Sequence, residues 1–185
     1  MAGTINVEHI GNVSLLTIDN PPANAMDANM LGRLLDEFEA IAQAARTRAV
    51  VLTGTGPSFC AGADLKANGG EALSAFGRLL NAVESSPIPV IAAINGWCIG
   101  GGFELALCCD IRIAAREAKF ACAGVNMGLM ASAYRLPRLI GIGRAKTMLL
   151  TGSTFDATTM EHFGVTTQTE SFDELLVAAK ALAIR

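Results

Sequence analysis

An α/β layered domain is the fold class this sequence predicts, and three observations predict it. Short apolar runs suited to buried strands, "AVVLTG" and "PVIAAING", each open toward a glycine-rich loop. Helical spacing of apolar residues returns around these runs, so the order strand, loop, helix repeats along the chain. No sequence repeat and no linker divides residues 1–185, which read as one core domain.

The elements follow in order. "INVEHI" and "VSLLTID" read as two strands joined across the turn at Gly11 and Asn12. Leu31, Leu34, Leu35, Phe38, Ile41, Ala42 and Ala45 then recur at helical spacing, with Asp27 as N-cap. The strand "AVVLTG" leads to the loop "GTGPSFCAGADL", a helix is predicted over 71–85, and "PVIAAING" runs directly into "GWCIGGGFELALCCD". The last helix is predicted from Phe172 to Arg185, carrying Leu175, Leu176, Ala179 and Leu182 as its apolar stripe.

Composition narrows the classes of function. With 51% apolar and 17% charged residues the chain folds rather than staying disordered, and part of its surface is expected to be covered by a partner. A net charge of -3 without long like-charge runs recommends neither nucleic acid nor an anionic membrane. The N-terminus has neither a basic leader nor an apolar core, so a cytoplasmic protein is expected. Residues 90–109 are apolar, but Asn95, Glu104 and the glycines mark a buried globular segment and not a membrane span. Cys60, Cys98, Cys108, Cys109 and Cys122 form no C-x-x-C pair and read as small core residues.

Several chemistries are set aside by spacing. "GIGRAK" lacks the third glycine of a dinucleotide loop and the spacing of a P-loop, and reads as a helix start. There is no G-x-S-x-G, and His9 and His162 lie far from the glycine-rich loops, so a serine triad and a metal site are not expected.

The two glycine-rich loops remain, each at the carboxyl end of a strand, where ligands of open α/β folds bind. Gly100, Gly101 and Gly102 strip side chains from a helix start, whose N–H groups lack intrahelical acceptors and can donate to a negatively charged oxygen. The "AGAD" loop, Ala61 to Asp64, offers a second donor, so together the loops suit an oxyanion hole. Glu104 follows the glycines with Gly100, Gly101, Leu107 and Cys108 as its helical neighbours, surroundings that contain no cation. A carboxyl group there suits a proton shuttle; the alternative is a buried structural pair with a distant arginine.

"PSFCAGADL", "NGWCIGGGFELALCCDIRIA", "AKF", "RLPRLIG" and "LLTG", in this order, resemble the crotonase superfamily of enoyl-CoA hydratases and isomerases. The resemblance implies a spiral of ββα units, assembled as a homotrimer or hexamer. It also implies an acyl-CoA thioester as ligand, with no separate cofactor because coenzyme A is part of the substrate. It assigns the oxyanion donors to Ala63 and Gly101 and a catalytic role to Glu104. Ala61, Ala63, Asp64 and Leu65 fall where the family contacts coenzyme A, with Gly62, Gly100 and Gly124 in the same substrate-binding set.

This chain also departs from that pattern. The second glutamate of the hydratases falls, in the register set by Phe120 and Gly128, on Gly124. The next loop, "GLMASAYRLPRL", is shorter than the family's, with Ala131 where a proline is usual and Tyr134, Asn126 and Ser132 as polar candidates. Family members continue through further helices, so the end at Arg185 is read as a C-terminal truncation. The expectation is a hydratase-like lyase working through a stabilised enolate, with isomerisation, decarboxylation or thioester hydrolysis as neighbouring chemistries. The alternative is a catalytically silent paralogue that binds CoA esters.

Overall fold

The computed structural model of the chain describes residues 3–44, 46–65, 69–130 and 132–185. The elements, in order, are β1 (Thr4–Ile10), β2 (Val13–Asp19), β3 (Ala25–Met26), α1 (Ala28–Gln43), β4 (Ala49–Gly54), β5 (Ser58–Cys60) and β6 (Gly62–Ala63). Next come α2 (Gly69–Glu84), β7 (Val90–Ile94), β8 (Trp97–Ile99), α3 (Gly101–Cys108), β9 (Ile111–Ala115), β10 (Lys119–Ala121) and a 3-10 turn, Ala123–Met127. The chain goes on through α4 (Arg135–Ile140), α5 (Ile142–Thr151), β11 (Thr154–Asp156), α6 (Ala157–Phe163), β12 (Gln168–Glu170) and α7 (Phe172–Ile184).

Three successive passages obey one rule: a strand in a large sheet, a strand in a small sheet, then helix. β4, β7 and β9 are adjacent in the six-stranded sheet, ordered β1-β2-β4-β7-β9-β12, while β5, β8 and β10 are adjacent in the four-stranded sheet, ordered β11-β10-β8-β5. The units therefore wind as the spiral of ββα units expected from the family resemblance. All neighbours from β2 to β12 run parallel, and β1 lies antiparallel on β2 across the Gly11–Asn12 turn.

β7 is apolar at every position, and β4 and β9 are nearly so, with Thr53 and Arg112 as their polar members, because both faces of the large sheet are covered. On one face Leu16, Ile18, Val50, Leu52, Ala92 and Ile94 pack with α1, α2 and α3; on the other Val13, Leu15, Val51, Ile91 and Ala93 meet Leu175 and Ala179 of α7. The apolar stripe of α7 thus covers the back of the sheet, with Leu176 and Leu182 partly buried beside it.

Asp27 caps α1 as its sequence predicts, its side chain accepting from the Met30 N–H at 2.8 Å. Ala42, assigned to the same stripe, is exposed, because it faces an open hollow between the ends of α1 and α2 that Phe38, Ala82 and Ser85 also line, while Ile41 beside it stays in the core; Ala45 lies outside the described residues. α2 begins slightly earlier than the predicted 71–85, and "GIGRAK" does start a helix, α5. All five cysteines are free and buried. Buried Arg112 donates to the carbonyls of Val165 at 2.7 Å and Cys109 at 2.5 Å, tying the end of α3 to the turn before β12. Among the described residues no helix is long and apolar enough to cross a membrane.

Candidate active site

β5 and β8 are parallel neighbours, so the two glycine-rich loops leave the small sheet at the same edge. The register is held by side chains that the sequence reading did not single out for this task. Asn95 accepts from the Gly54 N–H at 3.1 Å and donates to the carbonyls of Gly56 and Ser58, each at 3.0 Å. Buried Asn24 adds a donation to the Ser58 carbonyl at 2.7 Å.

The loops then meet backbone to backbone. Gly62 has φ +96°, a conformation that favours glycine, and a Cβ placed on it would lie 2.7 Å from the Gly101 Cα. Gly101 is the first residue of α3, after Gly100 with φ +54°, so its N–H belongs to the helix-terminal donors without an intrahelical acceptor. Ala63 is reached one residue beyond Gly62, where β6 pairs with β3 and the Asp64 N–H donates to the Met26 carbonyl at 2.7 Å.

A cavity of about 500 Å³ opens against these loops. Ala61, Ala63, Leu65, Gly100, Gly101, Glu104 and Gly124 all line it, so seven of the residues singled out from sequence converge. Gly62 and Asp64 do not line it: Gly62 is buried against Gly101, and Asp64 follows Ala63 at the mouth of the loop. The rest of the wall is apolar, from Leu73, Phe76 and Leu80 of α2, Ile99, Ala123, Met127, Leu129 and Met130. Among the described lining residues Glu104 is the only one with an acidic or basic side chain.

Glu104 is 5% exposed, and its surroundings differ from those its helical neighbours suggest. A cation is present: the Arg135 guanidinium, at the start of α4, forms an ion pair with one carboxylate oxygen. Ser132 donates its hydroxyl to the other oxygen. Arg135 also holds Glu84, the last residue of α2, through two donations, at 3.1 and 2.7 Å. These bonds, those to Glu84 foremost, push the Arg135 guanidinium above its ordinary value. Burial pushes the Cys108 and Cys122 thiols up to about 12, with the Glu104 charge adding to it at both and the Arg135 charge opposing it at Cys108.

Of the polar candidates Tyr134, Asn126 and Ser132, Ser132 alone hydrogen-bonds the carboxylate among the described contacts. Asn126 is exposed, Tyr134 is 61% exposed with the Arg138 guanidinium stacked on its ring, and Ala131 lies outside the described residues. Gly124, where the resemblance puts the second glutamate, is closely packed: a Cβ there would lie 2.9 Å from the Leu129 carbonyl oxygen, and the Leu129 N–H donates to the Gly124 carbonyl at 2.9 Å. His9 bonds the Ser14 hydroxyl at 3.0 Å, and His162 stands in the last turn of α6; neither lines the cavity. Among the described residues no group of three or more His, Cys, Asp or Glu could hold a metal ion.

Comparison with known proteins gives a consistent result. The pattern of the enoyl-CoA hydratase/isomerase family matches residues 8–185. The crotonyl-CoA hydratase of Syntrophomonas wolfei is 36% identical over 193 residues, spanning 98% of this chain and 74% of that protein. The crystal structure of an enoyl-CoA hydratase from Bacillus anthracis superposes with a TM-score of 0.93 at 36% identity, covering 97% of this chain and 75% of that one. Pseudomonas aeruginosa DspI superposes with a TM-score of 0.92 at 39% identity, covering 98% of this chain and 73% of that one.

Proposed function

The chain belongs to the enoyl-CoA hydratase/isomerase family of the crotonase superfamily, and on that premise we propose that it acts on an enoyl-CoA thioester through an oxyanion-stabilised enolate, with Glu104 carrying the proton. The observation that supports this most is the convergence of Glu104, Gly101 and Ala63 on one apolar cavity. The thioester oxygen accepts from the N–H groups of Ala63 and Gly101 as negative charge develops on it, each such donor being worth about 3 to 4 kcal/mol in a transition state. Glu104 takes a proton from the carbon beside the carbonyl and returns it to the acyl chain. Coenzyme A enters as part of the substrate, and no separate cofactor takes part.

With Gly124 in place of the second carboxylate, movement of a proton between carbons, which shifts the double bond, is the reaction the geometry supports best. Addition of water, the activity for which the relatives are named, commonly divides its proton handling between two acids and proceeds more slowly here. Turnover of crotonyl-CoA and of a 3-enoyl-CoA by the natural chain and by Glu104→Gln tests the reading. The substitution lowers kcat by about 10²-fold or more while CoA-ester affinity stays. Unchanged turnover in the variant would remove Glu104 from the chemistry.

A second reading rests on the engagement of Glu104 by Arg135 and Ser132: a CoA-ester-binding protein in which this carboxylate is structural. Binding of an acyl-CoA with no turnover of either substrate would decide for it.

A further inference from the structure

We infer that Arg135 and Ser132 are positioning residues that hold the Glu104 carboxylate in its working orientation, and that Glu84 sets Arg135 in turn. The inference rests on the proposed role of Glu104 as proton carrier. Both oxygens of Glu104 are engaged, one by the guanidinium and one by the hydroxyl. A charged donor on one oxygen and a neutral donor on the other leave the carboxylate little freedom to rotate.

Each holding group is itself constrained. The Arg135 side chain is 18% exposed, and its far edge forks onto both oxygens of Glu84, so the planar guanidinium has one orientation in which it serves α2 and α3 together. Ser132 is buried and has φ +61°, a region that serine seldom adopts. Strain of this kind persists where the surroundings over-determine it, and at Ser132 it accompanies the aim of the hydroxyl at Glu104.

The arrangement has a chemical consequence in a site with one carboxylate. Among the described residues the rest of the cavity wall is apolar or glycine and offers Glu104 no other side-chain donor. A carboxylate that must take a proton from one carbon and hand it to another needs a fixed direction, because a misplacement of about 1 Å can cost on the order of 10²-fold in rate. Arg135 and Ser132 supply that direction from the side of α4, and the reacting side faces the cavity.

The test compares the natural chain with Arg135→Met, Arg135→Lys, Ser132→Ala, Glu104→Gln and the double variant Arg135→Met with Glu104→Gln. Two quantities are read: affinity for butyryl-CoA, and exchange of the C2 hydrogens of butyryl-CoA with D2O, which reports proton transfer without committing to a product. Arg135→Met lowers the exchange rate by about 10²-fold and Ser132→Ala by about tenfold, with affinity unchanged. Arg135→Lys restores part of the rate, and the double variant is no slower than Glu104→Gln alone, since the two residues act as one unit. Exchange that persists in Glu104→Gln overturns the proposed function. Exchange lost in Glu104→Gln but unaltered in Arg135→Met overturns the positioning role alone. If Arg135→Met does not fold, Ser132→Ala decides: an unchanged rate, or equal losses of rate and affinity, refutes it. A natural chain that binds butyryl-CoA without any exchange refutes both.

Discussion

Gly62 and Gly101, from the two glycine-rich loops, meet with no side chain between them: a Cβ on Gly62 would stand 2.7 Å from the Gly101 Cα and 2.8 Å from its nitrogen. The contact sets the separation of the two loops whose amides are proposed to receive the thioester oxygen. Gly62→Ala must therefore push the loops apart and also hold alanine at φ +96°. It lowers stability by about 2 to 4 kcal/mol and reduces turnover further than the stability loss explains. Gly77→Ala, inside α2 with nothing within 4 Å of the added methyl, gains up to about 1 kcal/mol and leaves turnover alone. Denaturant titration and kinetics of both variants check the pair; equal behaviour would refute the backbone-contact explanation.

Placing a glutamate at Gly124, where the family resemblance puts the second carboxylate of the hydratases, is not expected to speed hydration. At Gly124 the Leu129 carbonyl occupies the approach, 2.9 Å from any Cβ, and the Leu129 N–H closes a bond onto Gly124. Gly124→Glu displaces that loop, so its melting temperature falls and its rate with crotonyl-CoA does not rise. A variant with unchanged melting temperature and faster hydration would show that the loop yields freely.

Removal of Arg112 leaves buried carbonyls without donors. Arg112→Ala strips partners from Val165 and Cys109, where a cation also suits the C-terminal end of α3. The expected loss is about 2 to 4 kcal/mol by chemical denaturation. A loss under about 0.5 kcal/mol would mean that the carbonyls find other donors.

Alkaline pH destabilises the fold through the cysteines. Burial lifts Cys60, Cys108 and Cys122 from an ordinary 9.0 to about 12, and Cys98 and Cys109 are raised as well. A thiol whose value is raised on folding contributes its full stability below the unfolded value, so the loss sets in as pH rises past about 9 and, for Cys60, Cys108 and Cys122, is complete beyond about 12. Denaturation midpoints hold level from pH 7 to about 8.5 and then decline, and native thiols resist a thiol reagent at pH 8 until the chain opens. Rapid labelling of all five at pH 8 under native conditions would contradict this.

Elements and loops were legible in the sequence because their causes are local. Asp27 caps the helix it precedes, short apolar runs announce buried strands, and Gly100–Gly102 announce a helix start stripped for close approach. The residues alone gave an α/β layered domain, and the ββα spiral came from the resemblance to the crotonase superfamily. Ala42 misled, since helical spacing does not say which positions a neighbouring helix leaves uncovered, and the α7 stripe could not show which face it would cover. Glu104 is the sharper case. Its helical neighbours held no cation, but Arg135 is 31 residues away, Ser132 is 28 away, and the Glu84 that orients Arg135 is 51 residues before it. Periodicity reports contacts within a turn or two of helix. The meeting of α2, α3 and α4 around one carboxylate depends on how whole elements pack, where each side chain's partner is chosen by burial and not by distance along the chain.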